Sequence, residues 1–208
     1  VVVALFIRIE QIFVMKWLGE DVAGTYYAAL KINDVWNMLP ALLLPSLYPL
    51  LVQTREKQGG RYTERLQDVF DVLTALGFAV AIGTTIAAPF LIPLIYGPKY
   101  ADAVPILIIQ AWAAPFTFSG AVRAQYFLME RLTLYHTWSA LIGIVVNVAL
   151  AITLIPRWGA PGAACGALLG YAVSAYLTSL IACGKFQSKA FLAPFRIHTL
   201  LSHVQKAL

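Results

Sequence analysis

Five ionisable side chains stand where an apolar helix tolerates them least: Arg8, Glu10, Lys31, Asp34 and Arg123. A charge at the centre of a membrane helix costs about 2.5–3.5 kcal/mol on insertion scales, so such groups face a bundle interior or an aqueous cavity. Their spacing sorts them. Arg8 and Gln11 are three apart and share a helix face, with Glu10 to the side. Lys31, Asp34 and Asn37 recur every three residues and make one polar stripe, along which Lys31 and Asp34 can pair. Arg123 and Glu130 also share a face. Three cations against two acids suit an anionic ligand, and the Arg fork matches phosphate oxygens. The acids serve equally well as protonation sites for ion coupling. A plainer reading stays open: the charges pair only with one another, or lie near helix ends, where Lys31 can snorkel.

The elements that must position these groups follow from composition. Of 208 residues, 60% are hydrophobic and 12% charged, against about 45–50% and about 25% in a soluble domain. The mean hydropathy is +0.75. Such a chain is neither disordered nor a nucleic-acid binder; its solvent is lipid. A spanning helix needs about 20 apolar residues. Apolar stretches at 1–18, 22–52, 72–95, 103–129, 132–155 and 158–184 therefore predict an all-α, polytopic six-helix transmembrane bundle over 1–184. Pro40, Pro45 and Pro49 should kink or split the second helix. Gly162, Gly166 and Gly170 form a smooth stripe for close helix approach. Residues 185–208 read as an amphipathic helix at the cytoplasmic interface, with Ile197, Leu200, Leu201, Val204 and Leu208 at helical spacing. The chain opens on Val1 inside an apolar run, which reads as a piece whose N-terminal helices lie upstream.

The net charge of +5 resolves by loop. Nine basic residues fall in the even-numbered loops and the tail, and three (Lys16, Lys99 and Arg157) on the opposite side. The positive-inside rule then places the even loops and the C-terminus in the cytoplasm.

Signatures of enzyme chemistry are absent: no HExxH, GxSxG, Walker A or dinucleotide fingerprint occurs. His136, His198 and His203 do not cluster and read as interfacial histidines, while Cys165 and Cys183 read as small packing residues. No cofactor or metal is expected. The adjacent acids Glu20 and Asp21, in a short non-cytoplasmic loop, are the best hint of a membrane glycosyltransferase.

The run Arg8-Ile9-Glu10-Gln11, then Leu18-Gly19-Glu20-Asp21-Val22-Ala23-Gly24-Thr25-Tyr26, resembles the start of the C-terminal half of polysaccharide flippases of the MATE-like (MOP) exporter superfamily. Ala28 to Lys31, Val35-Trp36, Leu39-Pro40, the loop Tyr96-Gly97-Pro98-Lys99-Tyr100-Ala101 and the turn Leu154-Ile155-Pro156-Arg157-Trp158-Gly159 continue it in order. Glu10 stands where Asp is commoner, and Asp34 where Glu is; both keep the carboxylate. The resemblance implies one half of a transporter with twelve or more helices in a bacterial or archaeal cytoplasmic membrane, flipping an undecaprenyl-pyrophosphate-linked oligosaccharide by alternating access. It implies a proton or sodium ion as coupling partner, and the N-terminal half as structural partner. It makes Arg8, Lys31 and Arg123 the candidates for the anionic part of the substrate, and Glu10 and Asp34 the candidates for coupling or charge pairing; Gln11 and Asn37, which share helix faces with Arg8 and Lys31, join the substrate candidates by spacing. A multidrug or cation antiporter of the same superfamily is the nearest alternative.

The charge split sets a topology test. With native cysteines removed, a cysteine at Gly59 is expected to resist an impermeant thiol reagent in intact cells. Labelling there would invert the assigned sides.

Overall fold

The computed structural model describes residues 2–57 and 59–182, with side chains over 10–45, 65–134 and 136–175. The amphipathic segment expected over 185–208 lies outside the described residues, as do Cys183, His198 and His203. Among the described residues seven α-helices follow one another: α1 (Val2–Leu18), α2 (Glu20–Lys57), α3 (Gly59–Tyr96), α4 (Ala103–Ala111), α5 (Ala114–Met129), α6 (Thr133–Trp158) and α7 (Ala160–Ala182). A 3₁₀ turn at Pro98–Tyr100 links α3 to α4, and there is no strand among the described residues. The fold is all-helical.

Two of these helices are long and apolar enough to cross a membrane: α3 over Arg65–Tyr96 and α6 over His136–Trp158. A third is counted if the bent pair α4–α5 is one span. The outer faces agree with a lipid solvent. Ile82, Ile86, Phe90 and Leu94 recur every four residues on α3 and are 50%, 68%, 74% and 81% exposed. A row of large apolar side chains on the outside is unfavourable in water and natural in hydrocarbon.

Three helix boundaries depart from the sequence expectation. α3 begins at Gly59 rather than 72, because the charged segment before the apolar run is itself helical. Hydropathy marks the part that can enter lipid, whereas helicity continues past it through Glu64, Arg65, Leu66 and Gln67, which are good helix formers. α2 runs unbroken from Glu20 to Lys57 despite its three prolines. Each proline withdraws one backbone donor, a loss that membrane helices tolerate where neighbours re-satisfy the freed carbonyl. The stretch 103–129, expected to be one helix, breaks at Trp112–Ala113 with a bend of 41°. Pro115 offers no N–H to the carbonyl of Ala111, so the chain tightens there. The Ala113 N–H donates to the Gln110 carbonyl at 2.9 Å.

Glycine permits two close approaches that matter for the interior. At Gly77 on α3, a Cβ would stand 2.7 Å from Cα of Pro115, so the broken helix nests directly on α3. At Gly170 on α7, a Cβ would stand 3.0 Å from Cβ of Asn147 and the Gly143 carbonyl oxygen on α6. The smooth stripe thus brings α7 onto the part of α6 that carries Asn147. Two apolar clusters fill the remaining space. One joins Val14, Tyr26, Ile92, Leu107 and Ile155. The other joins Phe70, Leu73, Phe118, Val122 and Phe127.

Gly77→Ala is expected to lower stability by about 1–3 kcal/mol, the usual range for overpacking. Gly24→Ala, where a Cβ meets nothing within 4 Å, should leave it unchanged or raised. Thermal unfolding of the purified protein compares the two; equal shifts would remove the tight α3–α5 contact.

Candidate functional site

A cavity of about 420 Å³ opens between α2, α5, α6 and α7, with Glu10 of α1 and Gln110 of α4 on its wall. Its apolar lining includes Leu30, Leu44, Phe116, Phe127 and Leu168. Its polar lining gathers residues remote in sequence.

Glu10 is 2% exposed. Asn147 Nδ2 donates to its Oε2 at 3.1 Å, across 137 residues and from α6 to α1. A carboxyl group taken out of water needs such donors. Asp34 and Asn37 lie one turn apart on α2 and both line the cavity. Thr117 Oγ1 on α5 donates to Asn37 Oδ1 at 3.0 Å. Gln110 Nε2 donates to the Tyr26 hydroxyl at 2.9 Å, linking α4 to α2 beside the helix break.

Arg123 is held from three sides. It is 3% exposed. Its Nη1 donates to the Ala175 carbonyl on α7. Nη2 donates to Ser119 Oγ at 3.1 Å, one turn back on α5. Its Cζ lies 5.7 Å from the centre of the Phe70 ring on α3, a cation–π distance. One guanidinium therefore ties three helices.

The candidate residues divide as follows. Glu10, Asp34, Asn37 and Arg123 meet in this cavity. Gln11 is buried but is not on the cavity wall. Lys31 is exposed and also off the wall, so the stripe expected from Lys31 through Asn37 enters the cavity only from Asp34 onward. The Arg8 side chain lies outside the described residues. Among described side chains the wall thus presents two carboxylates and one guanidinium, not the cationic excess counted along the chain. Glu20 and Asp21 are exposed in the first turn of α2, where negative charge complements the helix dipole. No group of three or more metal-ligating side chains occurs among the described residues.

Several wall residues carry no charge and were not singled out by spacing: Gln110, Tyr171 and Ser174. His136, expected at the interface, is on the wall too, with its ring 6.5 Å from that of Phe127. Asn147, behind the wall, holds Glu10. A usable signal exists for the two amides: Gln110 and Asn147 each interrupt an apolar run, and an amide in such surroundings needs a partner.

Comparison with family models, curated proteins and solved structures finds no match for the chain.

Arg123→Met is expected to lower stability by about 1.5–3 kcal/mol, the scale of a hydrogen bond to a charged group. Chemical unfolding of the purified protein measures it. A neutral result would mean that the guanidinium does not hold α5 to α7.

Proposed function

We propose that the chain forms part of a secondary transporter that flips a lipid-linked oligosaccharide from the cytoplasmic to the outer leaflet by alternating access. The observation that carries this reading is the convergence of Glu10, Asp34, Asn37 and Arg123 on one cavity among apolar helices. Ionisable groups at such a place mark substrate or ion pathways. The apolar lining suits a lipid tail, and the polar wall suits a head group. The helix break at Trp112–Ala113 borders the same cavity through Gln110 and Ala113, as discontinuous helices border transport sites. Glu10 and Asp34 are the proposed coupling groups for a proton or sodium ion. A second bundle of the same protein completes the pathway, in a bacterial or archaeal cytoplasmic membrane with the C-terminus in the cytoplasm. The resemblance to polysaccharide flippases supports the same reading.

One observation favours a second reading. The wall carries two carboxylates, and its guanidinium is bonded to Ala175 and Ser119. That balance suits an antiporter for organic cations.

In the native cell, the double variant Glu10→Gln, Asp34→Asn is expected to reduce surface glycan about tenfold, the scale of one charge-assisted hydrogen bond. Protein abundance, read by immunoblot, should hold. Normal glycan together with new sensitivity to lipophilic cations would transfer the role to the antiporter reading.

A further inference from the structure

Asn147 is 0% exposed on α6, and its side-chain amide is engaged at one end only. Nδ2 donates to Glu10 Oε2 at 3.1 Å. Oδ1 is buried and meets no hydrogen-bond donor among the described residues. Glu10 has further partners; the contact at Oε2 is the one that comes from α6.

The backbone that carries Asn147 is confined by α7, which lies against it through two glycines. A Cβ at Gly170 would stand 3.0 Å from Cβ of Asn147, and one at Gly166 would stand 3.5 Å from the Asn147 carbonyl oxygen. The main chain has little room to answer a change at Glu10, whereas the terminal torsion of an asparagine side chain is broad and roughly two-fold. Amide oxygen and nitrogen differ little in size. Half a turn about that torsion therefore exchanges a donor for an acceptor at nearly the same place.

Glu10 lines the cavity. As a carboxylate its oxygens only accept, which suits Asn147 Nδ2. When a proton from the cavity adds to Oε2, an O–H bond forms and that oxygen becomes a donor. Two donors then face each other, unless the amide turns and brings Oδ1 round to accept. The turn gives up no other hydrogen bond of Oδ1 among the described residues.

We infer that Asn147 is a positioning residue for proton uptake at Glu10: its amide turns over, so that α6 keeps a hydrogen bond to α1 in both protonation states. The inference rests on the transporter reading, in which Glu10 is a coupling group, and it makes the coupling ion a proton. Tyr26 on α2 stands within electrostatic reach of Glu10, and Tyr171 on α7 within reach of Tyr26. Asp34 on α2, Arg123 on α5 and His136 on α6 share the cavity wall with Glu10. Asn147 differs from all of these in being neutral at every pH, so it follows the charge of Glu10 without adding one.

Infrared difference spectra of the full-length protein in amphipol, recorded between alkaline and acid pH, provide the test. Glu10→Gln identifies the C=O band of protonated Glu10. A carboxylic acid C=O stretch falls when its O–H is hydrogen-bonded, so Asn147→Leu is expected to shift that band to higher wavenumber. With isotope-labelled asparagine and native Asn147, a side-chain amide band is expected to shift on acidification, and Glu10→Gln to abolish the shift. A Glu10 band at the same place in Asn147→Leu would overturn the inference and leave Glu10 as the coupling group. Sodium producing the same amide shift at fixed alkaline pH would also overturn it, in favour of sodium as the coupling ion. Absence of any Glu10 band would overturn both the inference and the coupling role that the transporter reading gives Glu10. If Asn147→Leu does not fold, the labelled amide band decides alone.

Discussion

A charged group that cannot reach water must be answered by the protein around it, and Arg123 makes that demand at the centre of this bundle. Its guanidinium is met by a backbone carbonyl of α7, a hydroxyl one turn back on α5 and the face of an α3 ring. A backbone dipole, a hydroxyl and a π-face each stabilise the charge. The relative placement of α3, α5 and α7 is thereby tied to one side chain, and the part of the cavity wall that α5 and α7 share with α2 follows from it.

The helix break serves the same geometry. Pro115 interrupts the run from Ala103 to Met129, and Gly77 lets the interrupted segment sit against α3 without a side chain between them. Just before the break, Gln110 reaches Tyr26 on α2. Across the bundle, Gly170 admits Asn147 close to α7, and Asn147 in turn holds Glu10. Proline and glycine here act through what they omit, an N–H in one case and a Cβ in the other. Those omissions decide where the amides of α4 and α6 come to rest.

Charge counting along the chain and charge counting among the described side chains of the wall give different balances, for a physical reason. Linear spacing shows that Lys31, Asp34 and Asn37 share a stripe, but a stripe spans part of a helix's circumference, and a cavity takes only some of it. Asp34 and Asn37 enter, whereas Lys31 stays outside. Helix limits are subject to a related ambiguity. The apolar run that fills lipid begins at 72, yet α3 starts at Gly59, since helix propensity and hydropathy end at different residues.

What the sequence determined by itself is the all-helical architecture, the apolar stretches able to lie in lipid, and the short set of ionisable groups out of place within them. Those follow from composition and periodicity, which need no third dimension. Tertiary structure alone decided that Glu10, Asp34, Asn37 and Arg123 share one cavity, that Asn147 and Gln110 support it, and that the guanidinium meets a carbonyl, a hydroxyl and a ring on three helices. Glu10 and Asn147 are separated by 137 residues. Spacing on one helix fixes neighbours only within a few turns, so partners at that range are chosen by how the helices pack.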